Sequence, residues 1–220
     1  MAMVRSGKLP CMPSLTLTNS GSAWKTYFYW LFWISVAFFT VYPLCNWLTA
    51  KRETVFNLYV SAELQIPFVP EFVWIYLSLY LLFVIPPFFL SALRMNALGK
   101  RLVGATIFCG IVFLILPAEL GFERTVPDDP FYSAMFAHLF AVDLPHNMAP
   151  SLHVTFSAMI LFVLLNESQS IVNTTVFGIW LVLICASTVL VHQHHLLDVV
   201  TGLLVAMAFY PVADQGEHHA

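Results

Sequence analysis

Apolar residues come in long, charge-poor blocks along this chain, and the polar residues collect between them. The blocks cover 27–48, 70–93, 102–118, 152–166, 172–191 and 195–213. The longer ones match the ~20 residues that a helix needs to cross a hydrocarbon layer of ~30 Å. The pattern predicts an all-α fold, an integral membrane bundle of about six transmembrane helices in one domain spanning 25–213, with 1–24 as a cytoplasmic lead-in and 214–220 as a polar tail. The fourth block is short, so its helix is expected to begin at Pro150, an acceptable first-turn residue, and to run on toward Gln169. Pro86 and Pro87 predict a packing kink in the second helix.

Composition agrees with this reading and excludes a soluble domain. Hydrophobic residues make up 60% of the 220 and charged ones 10%, and the mean hydropathy is +0.81; a soluble fold would have to expose very large apolar patches. Six of the nine basic residues, Arg5, Lys8, Lys25, Arg94, Lys100 and Arg101, fall on one side of the expected bundle. The positive-inside rule makes that side cytoplasmic and places both termini there. The loops at 49–69 and 118–149 then face outward, in a plasma or bacterial inner membrane. No cleavable signal peptide is expected, because 1–24 lacks an apolar core. Ser14–Ser22 is a polar lead-in, and Cys11, Cys45, Cys109 and Cys185 lack metal-ligand spacing and read as packing residues. The bilayer is the expected partner, and nothing points to nucleic acid.

Two polar clusters at block boundaries carry the candidate chemistry. One is Pro150-Ser151-Leu152-His153; the other is Ser187-Thr188 followed by His194 and Asp198. Residues four apart share a helical face, so the Asp198 carboxylate can hold the His194 imidazole in one tautomer. With an even number of helices between them, both clusters and Arg124 meet at the outer end. An aspartate near the start of an apolar run costs ~2.5–3.5 kcal/mol at a bilayer centre, which favours a partner or a cavity.

This arrangement resembles the type-2 phosphatidic acid phosphatase superfamily of lipid phosphatases and phosphotransferases. The family's Pro-Ser-Gly-His motif is matched by Pro150, Ser151, Leu152 and His153, and its Ser-Arg-x5-His-x3-Asp motif by Ser187, His194 and Asp198. Leu152 is similar to the branch containing inositol-phosphorylceramide-synthase-like proteins. The Lys-x6-Arg-Pro motif survives only as Arg124, with Pro117 and Thr125 in the other places, and Thr188 stands for the arginine of the third motif. The resemblance implies a metal-independent, cofactor-free lipid phosphatase, or a related head-group phosphotransferase, acting on a phosphorylated membrane lipid. It implies His194 as nucleophile, His153 as acid and base, Asp198 as orienter, and Arg124, Ser151 and Ser187 as phosphate-binding residues. Lys51 and Arg52, expected on the same side, could lend charge.

The residues permit this chemistry without the family. Phosphoryl transfer needs an in-line nucleophile, a proton donor for the leaving oxygen and positive potential around the phosphoryl group. A first-turn serine with free N–H groups suits phosphate. Two other classes remain open: a haem protein ligated by histidines such as His153 and His195, and a non-catalytic lipid-binding protein. His192 and His195 read as interfacial polar residues, and His138, His146, His218 and His219 as solvated ones. Asn166 and Asn173 match the glycosylation pattern by accident of position.

Overall fold

The computed structural model describes residues 21–168 and 170–210; the expectations for the Ser/Thr-rich lead-in up to Ser20 and for the polar tail lie outside these. Among the described residues every regular element is helical, with one isolated parallel bridge between Phe56 and Ala118. Three helices are long and apolar enough to cross a membrane: α1 (Gly21–Thr49), α5 (Ala92–Ile115) and α8 (Ile171–Leu190). Three shorter apolar segments accompany them, at Pro70–Val84, Leu152–Glu167 and Leu196–Phe209. Phe32, Phe39, Ile107, Ile115, Ile171, Val182 and Leu204 all stand exposed along these helices. So continuous an apolar surface is what lipid tails cover, and it marks the chain as a membrane protein.

The second block departs from the single kinked helix the sequence predicts. It forms a 3-10 turn at Pro70–Phe72 and then α2 (Val73–Leu77), α3 (Leu79–Val84) and α4 (Pro86–Phe89). The first break is at Ser78, whose hydroxyl turns back onto the Ile75 carbonyl at 2.5 Å while receiving the Trp180 indole N–H. The second is at Pro86 and Pro87, which have no N–H to continue the ladder. Ser91 then caps α5, which starts ten residues earlier than the apolar run. The 118–149 segment, expected as a loop, contains α6 (Pro130–Val142). Asp129 caps it by accepting the Phe131 and Tyr132 N–H groups, and Pro130 fits the first turn.

Helix α7 (Leu152–Glu167) begins at the Ser151 cap rather than at Pro150. It is surrounded: Ala158, Ile160, Leu161 and Leu164 are fully buried in the main core, and Val154 in a smaller cluster with Phe122, Val189 and Val199. Helix α9 (Leu196–Phe209) crosses it closely, because Gly202 leaves room for the Ser151 backbone and Thr155 Oγ1 donates to the Gly202 carbonyl at 3.1 Å. Gly99 and Gly110 similarly let α1 press Trp30 and Val41 against α5.

Two ends of the bundle can be told apart by their ties. At one, Arg94 pairs with Glu167 at 3.2 Å, Trp30 bonds Asn96, and Tyr210 reaches the Phe162 carbonyl. At the other, the Phe56 N–H meets the Pro117 carbonyl, Val69 meets Leu190, and Ser151 meets Asp198. At about 1.5 Å per residue, the 16 residues of α7 and 14 of α9 are roughly 24 and 21 Å long.

Candidate active site

The turn between α8 and α9 is where the site is made. Helix α8 ends because His192 enters the left-handed region at φ 55, and the Thr188 carbonyl then receives the N–H groups of both Gln193 and His194 at 3.0 Å. This fixes the His194 backbone. Asp198, in the first turn of α9, accepts the His195 N–H at 2.8 Å with Oδ2, and the same oxygen lies 3.3 Å from His194 Nδ1. One carboxylate therefore both caps the helix and orients the imidazole. Nε2 of His194 is left for the pocket that this residue lines. Asp198 is fully buried, and its Oδ1 has no hydrogen-bond partner among the described residues.

That pocket, about 380 Å³, runs between α1, α2–α3 and α7. His153, His194, Asp143, Tyr42 and Tyr76 sit on its wall, and Leu31, Ile34, Phe39, Phe83 and Phe156 supply an apolar length. His153 Nε2 lies 2.7 Å from the Tyr76 carbonyl, and its ring stacks on Tyr76 with centroids 3.9 Å apart. Since a carbonyl only accepts, Nε2 carries hydrogen, and Nδ1 is the ring nitrogen that a substrate can use. His153 is thereby set up first as a proton acceptor; it donates from Nδ1 only after it has been charged.

The other expected phosphate-binding residues are placed differently. Ser151 is fully buried, and its hydroxyl accepts the Val154 N–H. Ser187, also fully buried, donates to the Ile184 carbonyl at 2.7 Å. Neither lines the pocket. Arg124 donates from Nη1 to the Phe140 carbonyl at 3.1 Å and lies over the Phe140 ring. Burial pulls its pKa below the usual arginine value, offset by nearby Asp143. Lys51 covers the Trp47 ring, and Arg52 is exposed.

The sequence reading missed a second layer. His195 and His192 are not interfacial polar residues: with Tyr59 and Phe122 they form a column of stacked rings, in the order Tyr59, His195, Phe122, His192, with centroid spacings of 4.4, 4.4 and 4.0 Å. His195 Nε2 accepts the Gly121 N–H at 3.0 Å, so its proton sits on Nδ1, 3.3 Å from Glu63 Oε2 though too oblique for a hydrogen bond. Glu63 also accepts the Leu196 N–H at 2.8 Å. With both faces of His195 stacked, Nε2 taken by the Gly121 N–H and Nδ1 turned toward Glu63, it is not placed to join His153 as a haem ligand. Asp143 is the other omission. Tyr42 donates a hydrogen bond to it, and burial raises its pKa against the opposing pull of Tyr42, His194 and Arg124. Its only sequence signal was membership of an acidic loop, and Glu63 gave none.

Among the described residues no three His, Cys, Asp or Glu side chains are grouped to hold a metal ion. No protein-family profile, curated protein or solved structure matches the chain.

Proposed function

We propose that this protein is a membrane enzyme of phosphoryl transfer, which either removes phosphate from a lipid phosphate or pyrophosphate or transfers a phosphorylated lipid head group, through His194. The observation that carries the reading is a buried His194–Asp198 pair opening onto an apolar cavity with His153 on the same wall. His194 Nε2 attacks phosphorus in line, the P–O bond to the leaving group breaks, and the Asp198 carboxylate stabilises the positive charge that develops on the ring. His153 Nδ1 takes the proton of the incoming water or alcohol when the phosphohistidine is resolved, and returns it to a leaving oxygen in the next cycle. The apolar length of the cavity suits a lipid tail.

In this reading the bundle has six membrane passes, with both termini cytoplasmic and the site facing outward. An even number of passes agrees with the gathering of 49–69, 118–149 and the α8–α9 turn at one end. The resemblance to lipid phosphatases and phosphotransferases rests on the residues quoted above. Incubating the purified protein with a panel of phosphorylated lipids, with and without chelator, tests it. Release of phosphate or transfer of a head group, lost in His194→Ala, is the expected result; inactivity on every lipid would reject it.

A further inference from the structure

The pocket wall holds a charge that the phosphate reading leaves unused. Among the described residues its lining contains neither Lys nor Arg, and its formal charge is the Asp143 carboxylate, on the same wall as His153 and His194. Arg124, the cation the motif comparison nominates, is bound to Phe140 and stands outside the lining.

Asp143 is held in place from two sides. Its N–H closes α6 on the Leu139 carbonyl, and the Tyr42 hydroxyl reaches across from α1 to Oδ1. Four residues on, Asn147 adopts a left-handed backbone at φ 56 and donates its amide to the Tyr42 carbonyl at 2.8 Å. One turn of α1 is thus tied twice to the 143–147 segment, and the carboxylate stays at the pocket wall.

We propose that Asp143, held by Tyr42, is the specificity-determining residue of this pocket: it excludes dianionic phosphate monoesters and admits amphiphiles whose head group offers it a hydrogen-bond donor or a cation. The proposal rests on reading the cavity as a lipid-phosphate site and, within that reading, favours transfer of a phosphodiester head group over removal of phosphate from a dianionic monoester. A carboxylate a few ångströms from a second anion, away from bulk water, lowers affinity by about tenfold or more for each added negative charge. A monoanionic phosphodiester whose head group carries a hydroxyl or ammonium meets half of that repulsion and gains a charge-assisted contact with Asp143.

The test uses the full chain in lipid nanodiscs and two probes with the same tail, decyl phosphate and decylphosphocholine. It is run near pH 8, well above the second phosphate pKa of roughly 6. The wild type should bind the phosphocholine about tenfold more tightly or better. Asp143→Asn should collapse that ratio, mainly by tightening decyl phosphate, and Tyr42→Phe should narrow it. A wild-type ratio near one, or an unchanged ratio in Asp143→Asn, overturns the proposal; the wild-type measurement stands even if the variant fails to fold. Ser35→Phe fills the apolar length from α1 and should weaken both probes. If it does so while Asp143→Asn leaves the ratio alone, the proposal falls and the lipid-site reading survives. If Ser35→Phe weakens neither probe, or neither binds, both fall together.

Discussion

Gly202 lies beneath the carbonyl of Ser151, so closely that a Cβ there would stand 2.7 Å from that oxygen. The Ser151 N–H is meanwhile given to the Asp198 carbonyl at 3.0 Å. The starts of α7 and α9, which carry His153 and His194–Asp198, are therefore set backbone against backbone. Gly202→Ala should push them apart at a cost of about 1–3 kcal/mol. Thermal unfolding in nanodiscs measures the loss, and turnover well below the transition should fall further than stability alone explains.

The nucleophile can be tested apart from the fold. His194→Ala should abolish turnover by at least about a thousandfold while leaving the melting transition near that of the wild type. Asp198→Asn keeps an oxygen to accept the His195 N–H and loses the charge that balances the imidazolium, so turnover should drop by about 10²–10⁴-fold. Protein quenched in alkaline detergent after incubation with a lipid carrying radioactive phosphorus should hold base-stable, acid-labile label in the wild type and none in His194→Ala.

Rebuilding the missing cation should fail. Thr188 is fully buried, with its hydroxyl on the Cys185 carbonyl and its own carbonyl holding the His194 N–H. Thr188→Arg would force a long charged side chain into that packing, at a cost of about 3 kcal/mol or more. Expression and melting temperature should both fall, with no gain in phosphate affinity. Arg124→Ala should act by loosening α6 through the lost Phe140 contact, and Arg124→Lys should restore little, since lysine lacks the planar fork.

Acid should loosen the α8–α9 turn. Burial holds the His192 pKa below 6.5, outweighing the Ile66 carbonyl that accepts from it. The unfolded chain therefore binds more protons than the folded one between the lowered value and about 6.5. Stability is complete above about pH 6.5 and declines as pH falls through that window. Protection of the 191–195 amides from hydrogen exchange, taken relative to the intrinsic rate at each pH, should fall from pH 7.5 to 5.5, and His192→Phe, which keeps an aromatic ring for the stack on Phe122, should flatten the dependence.

Orientation is open to labelling in a cysteine-free background. A cysteine at exposed Asp128 should react with an impermeant thiol reagent added to intact cells, and one at Leu93, at the opposite end, should not. The reverse pattern would turn the site toward the cytoplasm and change the lipid pool it meets.

The apolar blocks were legible because block length and charge depletion are local properties; His194 and Asp198 do meet, but not on one helical face as expected, since His194 precedes α9 and the capping Asp198 carboxylate reaches back to it. What escaped depends on residues far apart in the chain. Glu63 reaches Leu196, Gly121 meets His195, and Tyr42 finds Asp143 about a hundred positions away; no local pattern announces such pairs. The break at Ser78 comes from a hydroxyl turned onto its own helix, which composition does not reveal. Ser151, Ser187 and Arg124 show a different limit. Motif spacing put them in the right neighbourhood, but the direction of a side chain follows from packing.

The brevity of α7 and α9 has a kinetic consequence. Their far ends are level with the Arg94–Glu167 pair and with Tyr210, and helices of roughly 21–24 Å fall short of a ~30 Å hydrocarbon layer. On the proposed reading the His194 imidazole then lies below the headgroup plane, and a lipid substrate would reach it by sideways diffusion without leaving the bilayer. The quantity that drives the reaction is then the mole fraction of substrate within the leaflet, and diluting vesicles into more buffer should leave the rate per enzyme unchanged while diluting the leaflet with inert lipid should lower it.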